Sequence, residues 1–388
     1  MNKKLIRITT APISLKYLIK GQMRFMSKNG FDVTMISAGG EEIKEVIKNE
    51  ECKHLIFPLT RKITPIQDLK AALKLFRYLK KEKPYIVHTH TPKAGIVGML
   101  ASYLAGVPIR LHTVAGLPLM EVRGVKRFVL NFVEKLTYKC STKVYPNSYG
   151  LKKIILKHRF TSENKLKVIG NGSSNGIDTS YFDPELFSIE ENAVLKTNLG
   201  IKKTDFVFIF VGRIVSDKGI NELVEAFDKI SLVEENIKLL LVGPFEDELD
   251  PLQKRTKLLI NNNENIISVG YQNDVRPYFS ISNCLVFPSY REGFPNVVMQ
   301  AGAMKLPSIV SDINGCNEII ENNINGLVIK LKCVSSIYNA MIKITSDKPL
   351  FNKLRLNSRD KIRIKYEREV YWGLLLNEYE SIINKNLR

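Results

Sequence analysis

The sequence predicts two α/β domains, each a parallel sheet wrapped by helices and joined at one hinge. Three observations carry this reading. The chain has 388 residues, which suits two domains of ordinary size better than one core. Short apolar runs alternate with helix-length segments on both sides of a polar, glycine-rich interruption at 170–204. The composition is 44% hydrophobic and 25% charged, which excludes a disordered, collagen-like or small disulfide-framed chain.

Residues 5–9 read as a strand, 15–29 as a helix ended by Gly30, and 32–36 as the next strand. The amphipathic stretch 68–83 stops at Pro84, ahead of strand 85–88. Residues 92–104 form a helix packed closely through Ala94, Gly95, Gly98 and Ala101. Strand 108–113, helix 126–137, strand 143–146 and helix 148–157 complete the first half. The turn-rich 170–176 and the unpatterned 183–203 mark the hinge. Alternation resumes with strand 206–212, helix 220–230, strand 238–243 and helix 252–261. Strand 266–269, helix 274–281, strand 284–288, helix 296–304 and strands 307–311 and 326–329 follow. Residues 366–386 read as a long helix that crosses back to the first half. Two such halves place a ligand in the cleft at the carboxyl ends of the strands.

The net charge of +19 is one-sided. Residues 1–178 carry 32 Lys and Arg against 12 Asp and Glu, a balance of +20, while 179–388 carry 26 against 27. An anionic partner is therefore expected to face the first half. Two segments concentrate the charge. One holds Lys70, Lys74, Arg77, Lys80, Lys81 and Lys83 beside Leu69, Leu73, Phe76 and Leu79. In the other, Arg123, Lys126 and Arg127 lead into Phe128, Val129 and Leu130, with Phe132 and Val133 close behind. Each alone fits a solvated basic face over a core stripe; together they fit an anionic membrane surface. No apolar run reaches spanning length, the basic start is too interrupted for a signal peptide, and five unclustered cysteines fit reducing cytoplasm.

Two constellations carry chemistry. Gly212 and Arg213 end a buried strand, and Lys218 stands just before a helix. Two cations, a helix dipole and free amides make a site for a phosphate or diphosphate, although the fragment alone also fits a solvated turn. The second runs from Pro288 to Ala303: a strand ends, Glu292 sits in a Gly/Pro loop, and a helix opens at Asn296, a natural N-cap. Glu292 suits several sugar hydroxyls, the amides after Gly293 suit a phosphate, and Gln300 lies on a face that reaches a ribose. An Arg–Glu surface pair and a capped helix are the plainer alternative. No spacing gives a metal site: His88 and His90 lack further ligands, and 246–248 reads as a solvated acidic loop.

In this order, the two pieces resemble the retaining glycosyltransferases of family 4, whose GT-B fold sets two Rossmann-like domains across a cleft. The resemblance spans the chain and includes Asn175-Gly176-Ile177-Asp178 near the hinge. More narrowly, 88–95, 111–116, 145–148 and 172–176 look like bacterial enzymes of capsule, exopolysaccharide and lipid-linked oligosaccharide synthesis. It implies an acceptor domain at 1–178, a nucleotide-sugar domain at 179–365 and a helix at 366–388 that packs back on the first. It implies catalytic roles for Glu292, Arg213, Lys218 and His112, and donor contacts from Gly212, Gly293, Phe294, Pro295, Asn296, Val297 and Gln300. Ser14, His90 and Lys93 are the acceptor candidates.

The expected reaction moves a hexose or N-acetylhexosamine from a UDP-sugar to a polyprenyl-diphosphate-linked saccharide, with retention. It uses no metal and no cofactor beyond the donor, on the inner face of the cytoplasmic membrane. Two positions depart from the family pattern. Gln300 replaces the second Glu of the Glu–seven residues–Glu signature, and Thr9-Thr10-Ala11-Pro12 replaces the Gly-Gly loop after the first strand. The rival readings are a sugar-nucleotide epimerase of the same architecture and a nucleic-acid binder. The second has no recognition helix, aromatic RNA-binding signature or zinc module behind it, so no nucleic-acid partner is expected.

Overall fold

The computed structural model describes residues 3–60, 64–117, 124–248 and 250–386. Its contacts divide the chain into two units, Met1–Gly176 with Glu369–Arg388, and Ile177–Arg368.

The first unit runs β1 (Lys3–Ile8), α1 (Pro12–Tyr17), α2 (Gln22–Lys28), β2 (Phe31–Ser37), α3 (Ile43–Glu50) and β3 (Lys53–Ile56). It continues through α4 (Pro65–Glu82), β4 (Ile86–His90), α5 (Pro92–Leu104), β5 (Ile109–Val114), α6 (Gly124–Cys140), β6 (Lys143–Pro146) and α7 (Tyr149–Lys157). The six strands are parallel in the order β3-β2-β1-β4-β5-β6. Both faces are covered, so β4 and the end of β1 are buried residue after residue rather than in alternation. On one face α4, α5 and α6 pack side by side. Close approach there is set by glycine: a Cβ on Gly95 would lie 2.5 Å from the His112 ring, and one on Gly98 2.5 Å from Thr89.

The expected single helix over 15–29 is two. The chain turns at Gly21, and the buried Glu50 carboxylate accepts from the N–H groups of Gly21 (2.5 Å) and Arg24 (3.1 Å), capping α2 from α3. The apolar period runs unbroken through this point, so only the tertiary contact reveals the break.

The second unit holds α8 (Ile189–Asn198), β7 (Phe206–Val211), α9 (Ile220–Ser231), β8 (Ile237–Val242), α10 (Lys254–Asn262), β9 (Ile266–Ser268) and α11 (Arg276–Ser280). Then come β10 (Cys284–Phe287), α12 (Asn296–Ala303), β11 (Ser308–Ser311), α13 (Cys316–Ile319), β12 (Gly326–Ile329), α14 (Val334–Ser346) and α15 (Lys348–Tyr366). Its parallel order is β12-β11-β10-β7-β8-β9. In each sheet the winding reverses once, between β1 and β4 and between β7 and β10, the point at whose carboxyl edge sheets of this kind bind ligands.

The last helix, α16 (Arg368–Asn386), crosses back as expected: Tyr371, Leu375, Tyr379 and Ile383 share a core with Leu5, Met23 and Phe31 of the first unit. The stretch expected to be unpatterned contains α8, fixed by a capping box between Ser188 and Glu191. Among the described residues no helix is long and apolar enough to cross a membrane.

Candidate active site

In the second unit the two constellations meet at the winding reversal. After β7, Gly212 leads to Arg213, and Ser216–Lys218 form a short 3₁₀ turn ahead of α9. After β10, the loop from Pro288 is tied to that turn by Tyr290 N–H donating to the Asp217 carbonyl (2.9 Å) and by an Arg291–Asp217 pair (3.0 Å). Gly219, at φ +71°, lets the turn lie flush on this loop: a Cβ there would sit 2.2 Å from the Pro288 carbonyl oxygen.

The result is a contact between the two candidate carriers. Lys218 Nζ lies 2.5 Å from Glu292 Oε1, which also accepts from Ser289 Oγ at 2.9 Å, and both charged side chains are only 16% exposed. Both bonds fall on Oε1; among the described residues no donor reaches Oε2. Asn314 Nδ2 holds the Glu292 carbonyl from the β11 side. Arg213 stands at the same edge and pairs instead with Glu246 at 3.0 Å.

Asn296 is not the N-cap of α12. That position is Pro295, which has no side chain to offer, and Asn296 is the first helical residue. The first-turn amides therefore lack a side-chain cap, which suits them to an anion. Phe294 is buried against Tyr366, at 5.4 Å between rings, and Pro295 is buried too, so both offer a ligand only backbone. Gln300 is half-buried one turn into the helix.

In the first unit the three acceptor candidates and His112 do not converge. His88 and His90 share one sheet face with Arg7, a wholly buried guanidinium between the apolar residues Ile6 and Ile8. Arg7 donates to Gln22 Oε1 (2.6 Å), Tyr379 OH (2.8 Å) and His90 Nε2 (2.7 Å). A guanidinium only donates, so His90 carries its proton on Nδ1, which is buried with no partner. Tyr379, having accepted from Arg7, donates to His88 Nδ1 (2.5 Å), and His88 Nε2–H donates to Thr113 (2.8 Å).

His112 pairs in register with Thr89 and faces the other way, its Nδ1 2.8 Å from Thr89 Oγ1 and its ring near Tyr138 of α6. Lys93, in the first turn of α5, is engaged by Asp68 of α4, and Ser14 is half-buried in α1. Arg7, Gln22 and Tyr379 were missed from the sequence. A lone charge inside the buried run 5–9 was the available signal.

Burial holds all three imidazoles neutral, with His112 pushed down to about 4 and the Arg7 charge adding to the effect on His88 and His90. An unfolded chain protonates them near pH 6.5. Their contribution to stability is complete above that pH and is lost as pH falls through 6.5 towards 4, about 3 kcal/mol for His112 alone. Glu134, raised by burial to about 7, acts oppositely: its contribution is complete below about 4.5 and lost as pH rises through 7. We expect melting temperature to fall from pH 6.5 to 4, and Glu134→Gln to steepen the fall. Melts that do not change over this range would contradict the neutral-histidine network.

Among the described residues no group of three or more His, Cys, Asp or Glu is placed to hold a metal ion.

Family models match both units: residues 13–148 match a "Glycosyl transferase 4-like" model and residues 192–361 the "Glycosyl transferases group 1" model. The capsular polysaccharide biosynthesis glycosyltransferase CapM of Staphylococcus aureus is 33% identical over 385 residues, 99% of each chain. The UDP-Gal:alpha-D-GlcNAc-diphosphoundecaprenol alpha-1,3-galactosyltransferase of Escherichia coli is 30% identical over 96% of this chain and 98% of its own. Among solved structures, a glycosyltransferase from Rickettsia africae superposes with a TM-score of 0.81 at 22% identity, covering 98% of this chain and 99% of that one.

Proposed function

The chain belongs to the family 4 glycosyltransferases of GT-B fold, and from that premise we propose that it moves a hexose or N-acetylhexosamine from a UDP-sugar to a polyprenyl-diphosphate-linked saccharide in surface polysaccharide synthesis. The observation that carries this reading is the Lys218–Glu292 contact at the carboxyl edge of the second sheet. A cation suited to a diphosphate stands there beside a carboxylate suited to a sugar hydroxyl, at the winding reversal where sheets of this kind bind ligands.

In this reading Glu292 Oε2 takes a sugar hydroxyl, and the first-turn amides of α12 and the backbone from Gly293 to Val297 take the phosphate side. Arg213 and Lys218 neutralise the charge that develops on the departing diphosphate, and Gln300 lies toward the ribose. Arg213 is held by Glu246 in this structure, so the diphosphate has to take that carboxylate's place. Retention follows if the acceptor hydroxyl attacks C1 from the face the diphosphate leaves, its proton passing to the leaving phosphate oxygen. Ser14, His90 and Lys93 are assigned to the acceptor and His112 to the transferred sugar or the acceptor, and the protein works at the inner face of the cytoplasmic membrane. Of the cations expected to face it, Arg123 lies outside the described residues.

An epimerase shares the architecture but calls for several carboxylates in acid–base roles. The transferase names of relatives matched over nearly the whole chain favour transfer.

The test is a panel of UDP-sugars, with UDP release followed with and without an undecaprenyl-diphosphate saccharide. Release that depends on the acceptor is expected. Interconversion of the UDP-sugar without acceptor would establish the epimerase instead. Transfer is expected to persist in excess EDTA, and loss restored by Mn²⁺ or Mg²⁺ would overturn a cation role filled by Arg213 and Lys218.

A further inference from the structure

The loop that follows β11 lies against the backbone around Glu292, and one side chain makes the polar contact. Asn314 Nδ2 donates to the Glu292 carbonyl and reaches the Gly293 carbonyl at 3.4 Å, so one amide group serves two successive peptide units. Gly315 lets the loop come this close. It sits at φ +77°, and a Cβ there would overlap the Gly293 carbonyl oxygen and lie 2.9 Å from Phe294 Cα. The loop is fixed from behind in turn. Glu318 of α13 accepts from the Gly315 N–H (3.3 Å), and the Glu318 carbonyl accepts from Tyr366 OH at the end of α15 (2.9 Å).

The direction of these carbonyls sets the direction of the neighbouring amides. In a trans peptide the N–H points opposite to the C=O to which it is joined. With the Glu292 and Gly293 carbonyls turned to Asn314, the Gly293 and Phe294 N–H groups face away from the β11 loop. Among the described residues neither N–H has a partner. Successive N–H groups left free in this way suit the oxygens of a ligand, and these two adjoin the uncapped first turn of α12.

We propose that Asn314 is a positioning residue for the UDP-sugar. It holds the Glu292–Phe294 backbone with its carbonyls turned back and its two N–H groups presented to the sugar–phosphate end. Glu292 is thereby pinned at both ends, its carboxylate by Lys218 and Ser289 and its carbonyl by Asn314. Without that hold either peptide is free to rotate, and a carbonyl oxygen would then meet the oxygens of the UDP-sugar. The role needs a side chain that donates: an aspartate of the same shape would set a negative oxygen against two carbonyl oxygens. The inference rests on the transferase reading above and adds to it the side chain that orients the loop.

The test compares Asn314→Asp and Asn314→Ala with wild type by steady-state kinetics, UDP titration and thermal melting. At about pH 8, kcat should fall about tenfold in Asn314→Ala and about 100-fold in Asn314→Asp. UDP affinity should change less than about threefold, since Arg213 and Lys218 are assigned to the diphosphate, and both variants should melt within about 5 °C of wild type. Relative to wild type and to Asn314→Ala, only Asn314→Asp should recover as pH falls from about 8 to about 5.5, because a protonated carboxyl donates again. Wild-type kcat in both variants, an Asn314→Asp no slower than Asn314→Ala at pH 8, or UDP affinity lost in step with kcat would overturn the proposal. A wild type that interconverts the UDP-sugar instead of transferring it, with the same order among the variants, would overturn the transferase reading alone.

Discussion

Lys218→Ala is expected to lower transfer efficiency by about 10- to 150-fold, the equivalent of roughly 1.5–3 kcal/mol for a charge-assisted contact. The variant loses the cation proposed for the diphosphate. It also leaves Glu292, 16% exposed, beside only the Ser289 hydroxyl. Both losses fall on kcat/KM, and titration with UDP isolates the first. Glu292→Gln separates the second: it should lower turnover chiefly, because the carboxylate is assigned to the sugar whose bond breaks. Gln300→Glu should move donor affinity chiefly, because that side chain lies a helical turn further in. Steady-state kinetics on the three variants decide the matter. Full efficiency in Lys218→Ala, or abolished turnover with intact UDP affinity in Gln300→Glu, would reverse the assignments.

Gly219→Ala should destabilise the second unit by about 2–4 kcal/mol, a fall in Tm of roughly 5–15 °C. The residue sits at φ +71°, and an added methyl would lie 2.2 Å from the Pro288 carbonyl oxygen and 2.9 Å from its carbon. These are backbone atoms, so no side-chain rotation relieves the clash. The turn holding Lys218 and the loop holding Glu292 have to move apart, and turnover should fall along with the melting temperature. A variant that melts like wild type would show that the two loops are not locked together at this point.

Much of the fold was legible because buried parallel strands announce themselves. Phe206–Val211 is an unbroken apolar run, its neighbour β10 reads the same way, and β8 does so from Leu239 onward. Helix α8 was invisible for the converse reason: Ile189 and Val194 point to solvent, so no period forms, and side-chain caps hold the helix instead. The break between α1 and α2 was hidden because Glu50, which makes it, lies on another element.

The site shows the same division. Arg213, Lys218 and Glu292 were found by type and order, whereas Glu246, Ser289 and Asn314 act through loop geometry that no spacing encodes. His90 and His112 lie on adjacent strands, and spacing alone would set them side by side. The register pairs His112 with Thr89 instead, and alternation then sends the two rings to opposite faces.

The first unit is discontinuous, and this bears on how the protein is made. Arg7 waits for Tyr379, 372 residues later, and Leu5 and Phe31 wait for the same helix. At about 5–20 residues per second, a ribosome needs roughly 20–75 s to deliver that partner. The second unit emerges whole in the interval and can close on its own core, while the half translated first still exposes one apolar face of its sheet and a buried-to-be guanidinium. Completion therefore runs against the order of synthesis, and a nascent chain stalled or cleaved short of α16 leaves its amino-terminal half, not its carboxyl-terminal one, for chaperones and proteases to find.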